Sequence, residues 1–213
     1  MSILFRTATP ADADAAVPLI YSSGPAAFDF VFTVPGKLSA LQFLRRAFLH
    51  GRGELGYRNH IVATLDQRVV AVGAAWCGDS TLAFALAAAQ QILGGYGAVA
   101  GPGVIARGLR VESIIQPPAE DCWYIAHLGV LPERRGRGLG NALIASLLEQ
   151  GRARRLPKAA LDVAVGNPRA QALYERLGFV VAAERVSTLR NAQATVANHR
   201  RMELPLAPRP LSR

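Results

Sequence analysis

Apolar and polar positions alternate through "ILFRTA", which predicts a short opening strand. "TPADADAAVPLIYSS" then reads as a helix. Thr9 can cap it, Pro10 suits its first turn, and Asp12 sits at capping-box spacing. Leu38, Leu41, Leu44 and Phe48 form a second helical stripe that "GRG" brings to a stop. "HIVATLDQRVVAVGAAW" reads as two strands of a hairpin turning at Asp66-Gln67. The stretch from Cys77 to Asp121 is apolar and glycine-rich and predicts two helices. "CWYIAHLGVL" predicts a strand rich in aromatic and aliphatic residues.

The second half of the chain alternates more regularly. After "PERRGRGLG" comes a helix with Leu139, Leu143 and Leu147 on one stripe, and "AALDVAV" reads as a buried strand. "NPRAQALYERLG" carries all its punctuation: Asn167 as cap, Pro168 in the first turn, Gly178 as stop. Ala170, Leu173, Tyr174 and Leu177 share one of its faces. "FVVAAERV" and "HRRMELPL" close the order as strands, and the tail from 207 to 213 is expected to fray. The alternation predicts a mixed α/β sheet. One domain is expected over residues 1–206, with an apolar helical insertion at about 77–121. No internal repeat is present.

The junction "GVLPERRGRGLGNALIASLLEQ" calls for a chemical reason. The first amides of a helix lack intrahelical partners and carry partial positive charge. Glycines let an anion approach those amides with no side chain in the way. Residues Arg135, Gly136, Arg137, Gly138, Leu139 and Gly140 can wrap an anion in N–H groups, with Arg134 adding charge. The junction suits a diphosphate. It is neither the dinucleotide fingerprint, which needs G-x-G-x-x-G after a first strand, nor the nucleotide loop that ends in Gly-Lys-Ser/Thr.

Charge agrees with an anionic partner. Lys and Arg number 24 against 15 Asp and Glu, a formal net charge of +9. The arginines form no long basic run and few aromatics lie among them, so no nucleic-acid partner is expected. Cys77 and Cys122 have no metal-ligand spacing, which leaves no metal and no disulfide framework to expect. "MSILFRTATPADAD" does not read as a secretion signal, so a cytoplasmic protein is expected. Ser80 to Ala106 carries no charge and is long enough to cross a bilayer. "QQ" and "GGYG" interrupt it, and buried or interface helices, with no membrane partner, are the expectation.

At this point the chain resembles the GNAT N-acetyltransferase superfamily. Its hallmark, Arg/Gln-x-x-Gly-x-Gly/Ala after the fourth strand, is met by Arg135, Gly138 and Gly140. A second, about 30 residues on, is met by Asn167, Ala170, Tyr174, Gly178 and Phe179. The resemblance is specific from about Trp123 to Val186. It implies the GNAT fold: a mostly antiparallel α/β (α+β) sheet of six to seven strands, with parallel strands four and five splayed apart. It implies acetyl-coenzyme A as donor, held by the glycine-loop amides, and an amine acceptor. The Leu128 amide would polarise the thioester carbonyl, Val130 would pair with the pantetheine, and Asn167 would bond that arm. Asn167 equally reads as a helix cap that needs no ligand. Tyr174 would protonate the departing thiolate, or else is core. Arg152, Arg154, Arg155 and Arg169 are candidates for the 3′-phosphate, or a solvated basic face.

The general base is open at this level. Several family members use a Glu or His where this chain has Tyr124, which could at most align a water. His127 titrates nearby, but strict alternation turns it away from the face of Tyr124, Ala126 and Leu128 unless a bulge intervenes. Glu112 and Asp121 are weaker candidates; His60 and His199 read only as strand starts. The apolar "TLAFALAAAQQILGGYG" fits a hydrophobic acceptor pocket, a homodimer contact or a second small core. A coenzyme-A-binding sensor without catalysis is the alternative to an acetyltransferase.

Overall fold

Seven strands form one sheet in the order β1-β2-β3-β4-β5-β7-β6 in this computed structural model, which describes residues 3–206. β1 (Leu4–Thr7), β2 (His60–Leu65), β3 (Arg68–Trp76) and β4 (Cys122–Val130) are antiparallel neighbours. β5 (Lys158–Ala164) runs parallel to β4, and β7 (His199–Pro205) pairs antiparallel with both β5 and β6 (Val180–Arg185). Asp66 and Gln67, at the expected hairpin turn, both adopt positive φ (49° and 64°), the backbone that a two-residue hairpin requires. The tail expected to fray lies outside the described residues.

Helices cover both faces. α5 (Leu139–Ala153) buries Leu139, Leu143 and Leu147 against Trp123, Ile125, Leu161 and Val163 of β4 and β5. α6 (Pro168–Arg176) adds Tyr174 to that core. On the opposite face, α1 (Ala13–Ser22) and α3 (Ala40–His50) pack Val17, Ile20, Leu44 and Phe48 on Val62, Val69 and Val72. The turn Pro10–Asp12 leads into α1. Asp12 accepts two 2.7 Å bonds from the Arg6 guanidinium and one from the Thr9 amide.

The stripe expected around α3 is shifted. Ser39 caps the helix, so Leu38 lies outside it, Leu41 is exposed, and the buried set is Ala40, Phe43, Leu44, Ala47 and Phe48. α4 (Thr81–Glu112) is two helical segments broken at Gly97 (φ 76°, ψ 175°). With α2 (Pro25–Phe32) and α3 it builds a second core around Phe30, Phe43, Ile92, Tyr96 and Val104. The Tyr96 hydroxyl donates to the Phe32 carbonyl, and Arg107 donates twice to that of Val31. Leu82, Leu86, Val99 and Leu109 remain exposed on α4. By length and composition the stretch Gly78–Glu112, mean hydropathy 1.3, is apolar enough to cross a membrane.

Two glycines let chains approach closely. A Cβ at Gly129 would strike the Leu19 carbonyl, which sets α1 directly on β4. A Cβ at Gly151 would lie 2.6 Å from Trp123 Cδ1 and 3.0 Å from Leu206 Cδ1. Gly151→Val is therefore expected to overpack this contact and cost about 2 kcal/mol or more, read as a lower urea midpoint at unchanged slope.

Candidate active site

The loop joining β4 to α5 turns at Pro132–Arg134 and reaches the helix through two left-handed glycines, Gly136 (φ 74°) and Gly138 (φ 80°), the latter at the N-cap. A Cβ at either would meet nothing within 4 Å. Glycine is required there by backbone conformation, and the same openness leaves the amides uncovered. No acidic side chain occupies the first turn of α5 to offset its positive end. Arg135 folds back to donate from Nε to the Val130 carbonyl at 3.1 Å, so one hallmark side chain is engaged in holding the loop. Gly140 lies where α5 meets α6; a Cβ there would be 3.3 Å from Leu173 Cδ2.

β4 and β5 pair only from Cys122–Lys158 to Tyr124–Ala160. Beyond Tyr124 the two strands part, and a cavity of about 900 Å³ opens against them. It is bordered by Leu128, Val130, Arg135, Gly136, Gly138, Leu139, Gly140, Asn167 and Tyr174, and also by His127. Arg137, exposed between the two left-handed glycines, does not border it.

His127 reaches this space because β4 bulges. Its φ is 56°, and the register with β3 shifts between Val72 and Ala74. The bulge exchanges the faces of the residues that follow. His127 stands beside Trp76 (ring centroids 5.9 Å apart), as Tyr124 does (5.2 Å), while Leu128 packs into the α5 core. The strict alternation that would turn His127 away is thus broken at that residue.

His127 belongs to a hydrogen-bonded chain. His60 Nδ1 lies 2.9 Å from the Gly56 carbonyl, and His60 Nε2 lies 3.1 Å from His127 Nδ1. His127 Nε2 lies 3.2 Å from Glu54 Oε1. A carbonyl only accepts, so His60 donates from Nδ1 and its Nε2 accepts. His127 must then donate from Nδ1, which leaves Nε2 as the ring nitrogen that faces Glu54. Burial, and then the nearby charge of His127, push His60 down to about 3, so it stays neutral and holds this arrangement.

The comparisons with known proteins agree with this geometry. A model of the acetyltransferase (GNAT) family matches residues 58–179, more than half of the chain. The chain belongs to the GNAT acetyltransferase family. Mycothiol acetyltransferases of Streptomyces griseus and Streptomyces coelicolor are 48% and 47% identical over 52 and 53 residues. Those matches span 24% and 25% of this chain and only 17% of each of those enzymes. An N-acetyltransferase structure from Staphylococcus aureus Mu50 superposes with a TM-score of 0.66 at 16% identity, covering 94% of this chain and all of that one. The ribosomal-protein-S18-alanine N-acetyltransferase of Escherichia coli gives 0.54 at 17% identity, over 100% of this chain and 99% of that one. At such identities the structural likeness speaks for the fold.

GNAT enzymes generally use acetyl-coenzyme A, and three features of this chain fit it: the uncovered amides at the start of α5, the gap between β4 and β5, and the cavity that joins them. Asn167 Oδ1 accepts from the Ala170 amide at 3.2 Å, so it does cap α6 while also bordering the cavity. Burial alone pushes the Tyr174 phenol up to about 12. The Tyr124 hydroxyl donates to Asp162 at 2.7 Å, and Asp162 pairs with Arg201 at 2.8 Å. Burial and the Asp162 charge raise Tyr124 far above its usual range, so it neither serves as base nor turns a free hydroxyl to a water.

Of the four arginines considered for a 3′-phosphate, only Arg169 borders the cavity. Arg152, Arg154 and Arg155 sit at the opposite end of α5, roughly 20 Å from Gly138 at 1.5 Å per residue. There Arg152 pairs with Glu149 at 2.7 Å and Arg154 lies 5.0 Å over the Trp123 ring. His199 starts β7 and borders the cavity, Glu112 borders it at the end of α4, and Asp121 lies outside it. Glu54, Phe28 and Trp76 were not expected; "GRGELGYRNH" marks Glu54 only as a carboxylate in a glycine-rich turn. Among the described residues no group of His, Cys, Asp or Glu is placed to hold a metal.

His60 carries a pH prediction. Its folded pKa of about 3 lies below the ordinary value near 6.5, so the unfolded chain binds the extra proton between those limits. The stability it contributes is complete above about pH 6.5 and is lost as pH falls toward 3. Asp12, held down to about 2 by Arg6, adds its own loss only below about pH 4. His60→Gln is expected to flatten the decline of the urea midpoint between pH 6.5 and 4.5. An unchanged slope would contradict the neutral, buried state of His60.

Proposed function

We propose that this protein transfers an acetyl group from acetyl-coenzyme A directly to the amine of a small molecule or protein. One observation carries the reading: the glycine loop, the β4–β5 gap, Tyr174 and His127 all border the same cavity. Acetyl-coenzyme A supplies an acyl group activated as a thioester and a thiol as leaving group. The amides from Gly136 to Gly140 hold its diphosphate at the start of α5, while the Arg135 amide is spent on the Pro132 carbonyl. Past Tyr124 the β4 backbone has no strand beside it on the β5 side, so Leu128 and Val130 take the amide arm, with Asn167 at its flank. The Leu128 amide stabilises charge developing on the reacting carbonyl oxygen.

An amine must lose a proton to attack, and His127 Nε2 takes it, held as acceptor by the Nδ1 bond to His60. Tyr174 faces the leaving sulfur. With its phenol near 12 it keeps its proton at neutral pH and acts first as a hydrogen-bond donor, since full transfer to a thiolate near 8.5 is uphill.

Gly138→Glu places bulk and negative charge in the cradle, and calorimetry should show acetyl-coenzyme A binding abolished. Gly138→Asn, which tolerates the left-handed backbone, should retain most of it. Tyr174→Phe should lower kcat about tenfold or more with the acetyl-coenzyme A Kd nearly unchanged, and His127→Gln should lower it about a hundredfold. Normal turnover by Tyr174→Phe would remove that residue from the chemistry. Tight coenzyme binding with no thiol release over any amine would replace the transferase by a sensor.

A further inference from the structure

The cavity is divided by charge. Arg134, Arg135, Arg169 and Arg176 border it from the glycine loop and α6, while Glu54 and Glu112 border it from the turn before β2 and the end of α4; Asp162 of β5, which also borders it, is paired with Arg201. The two glutamates feel one another: burial first, then the charge of Glu54, raise Glu112. Around Glu54 and His127 the wall is aromatic. The Phe28 ring lies 6.0 Å from the His127 ring, Phe32 lies 6.4 Å from Phe28, and Phe84 lies 5.8 Å from Trp76.

The hydrogen-bonded chain adds a polarity to this site. With His127 Nδ1 engaged by His60, Nε2 and the Glu54 carboxylate stand 3.2 Å apart at the cavity wall, and when the imidazole is neutral both are acceptors. A pair of acceptors in that position calls for a donor of several protons, and an ammonium has three. We propose that the acceptor is a primary amine with an aromatic or bulky aliphatic body and no acidic group, its ammonium received by Glu54 and His127 Nε2 and its body lying on Phe28, Phe32, Trp76 and Phe84. The inference rests on the acetyl-transfer reading and names the substrate class of that same site.

The walls explain the selection. An apolar body buries surface against four aromatic rings, and the approaching cation gains from their faces. A carboxylate beside the amine, as in an amino acid, meets Glu54 and Glu112 as like charges. A diamine must draw its second ammonium to Glu112 and leave the aromatic wall uncovered, and it is the rival that the test separates.

The full chain, saturated with acetyl-coenzyme A, is offered 2-phenylethylamine, L-phenylalanine and putrescine. Initial rates are read by thiol release and products by mass. Expected is a kcat/KM for 2-phenylethylamine about tenfold or more above both others, and a rise of KM by about tenfold or more in Glu54→Gln. The acetyl-coenzyme A Kd and the thermal midpoint of that variant should be unchanged, which a merely structural role of Glu54 would not give. Preference for putrescine or L-phenylalanine, an unchanged amine KM in Glu54→Gln, or coenzyme binding without acetylation of any of the three overturns the acceptor class. Failure of acetyl-coenzyme A to bind is a different result: it removes the transferase reading, and this inference with it.

Discussion

His127 adopts φ = 56° inside a buried strand, a conformation that costs a side-chain-bearing residue on the order of 1–2 kcal/mol. The surroundings hold it there. Opposite the bulge, β3 supplies Gly73, where a Cβ would lie 3.0 Å from Leu128 Cδ2 and 3.1 Å from Leu147 Cδ1. That absence of side chain lets Leu128 swing into the α5 core. His127 is drawn the other way by its bond to His60 and by the Phe28 and Trp76 rings. β4 ceases to pair with β5 after Tyr124, shortly before the bulge at His127. The bulge thus carries the His127 ring into the opening that the parting of β4 and β5 provides.

The rest of the chain encloses that opening. α5 aims its positive end at one part of the cavity. α2 and α4, packed on each other through the Phe30–Tyr96 core, lay an aromatic and aliphatic cover over another part. The uncharged stretch of α4 therefore serves two of the purposes its composition allows: it forms a second small core and it lines the cavity. Its exposed Leu82 and Leu86 belong to neither, whereas exposed Leu109 borders the cavity. Arg201 ties the cover down, since its guanidinium bridges Asp162 of β5 and the Gln116 carbonyl just after α4.

Much of this was legible in the sequence because it is written locally. The Asp66-Gln67 turn, the Asn167–Pro168 start of α6, the Thr9–Asp12 box and the Leu139–Leu147 stripe each follow from residues a few positions apart. So did the glycine loop, whose amides need only the adjoining helix. Other features depend on distant partners and could not be read. The bulge at His127 requires Gly73 across the sheet, and the tautomer of His127 requires His60, which alone looked like a mere strand start. Glu54 becomes chemical only when its turn folds over β4. The misplaced features have equally physical reasons. Leu41 was taken into a stripe whose phase began before the Ser39 cap. Arg152, Arg154 and Arg155 were near the loop in sequence but a whole helix away in space.

A structure of the protein with coenzyme A and an amine bound tests the central claim most directly. The account requires the diphosphate on the amides of Gly136 to Gly140, the sulfur between β4 and β5 beside Tyr174, and the amine nitrogen against His127 Nε2 with its ring still bonded to His60. A diphosphate seated elsewhere, or a His127 that leaves His60 and turns from the sulfur, would contradict it.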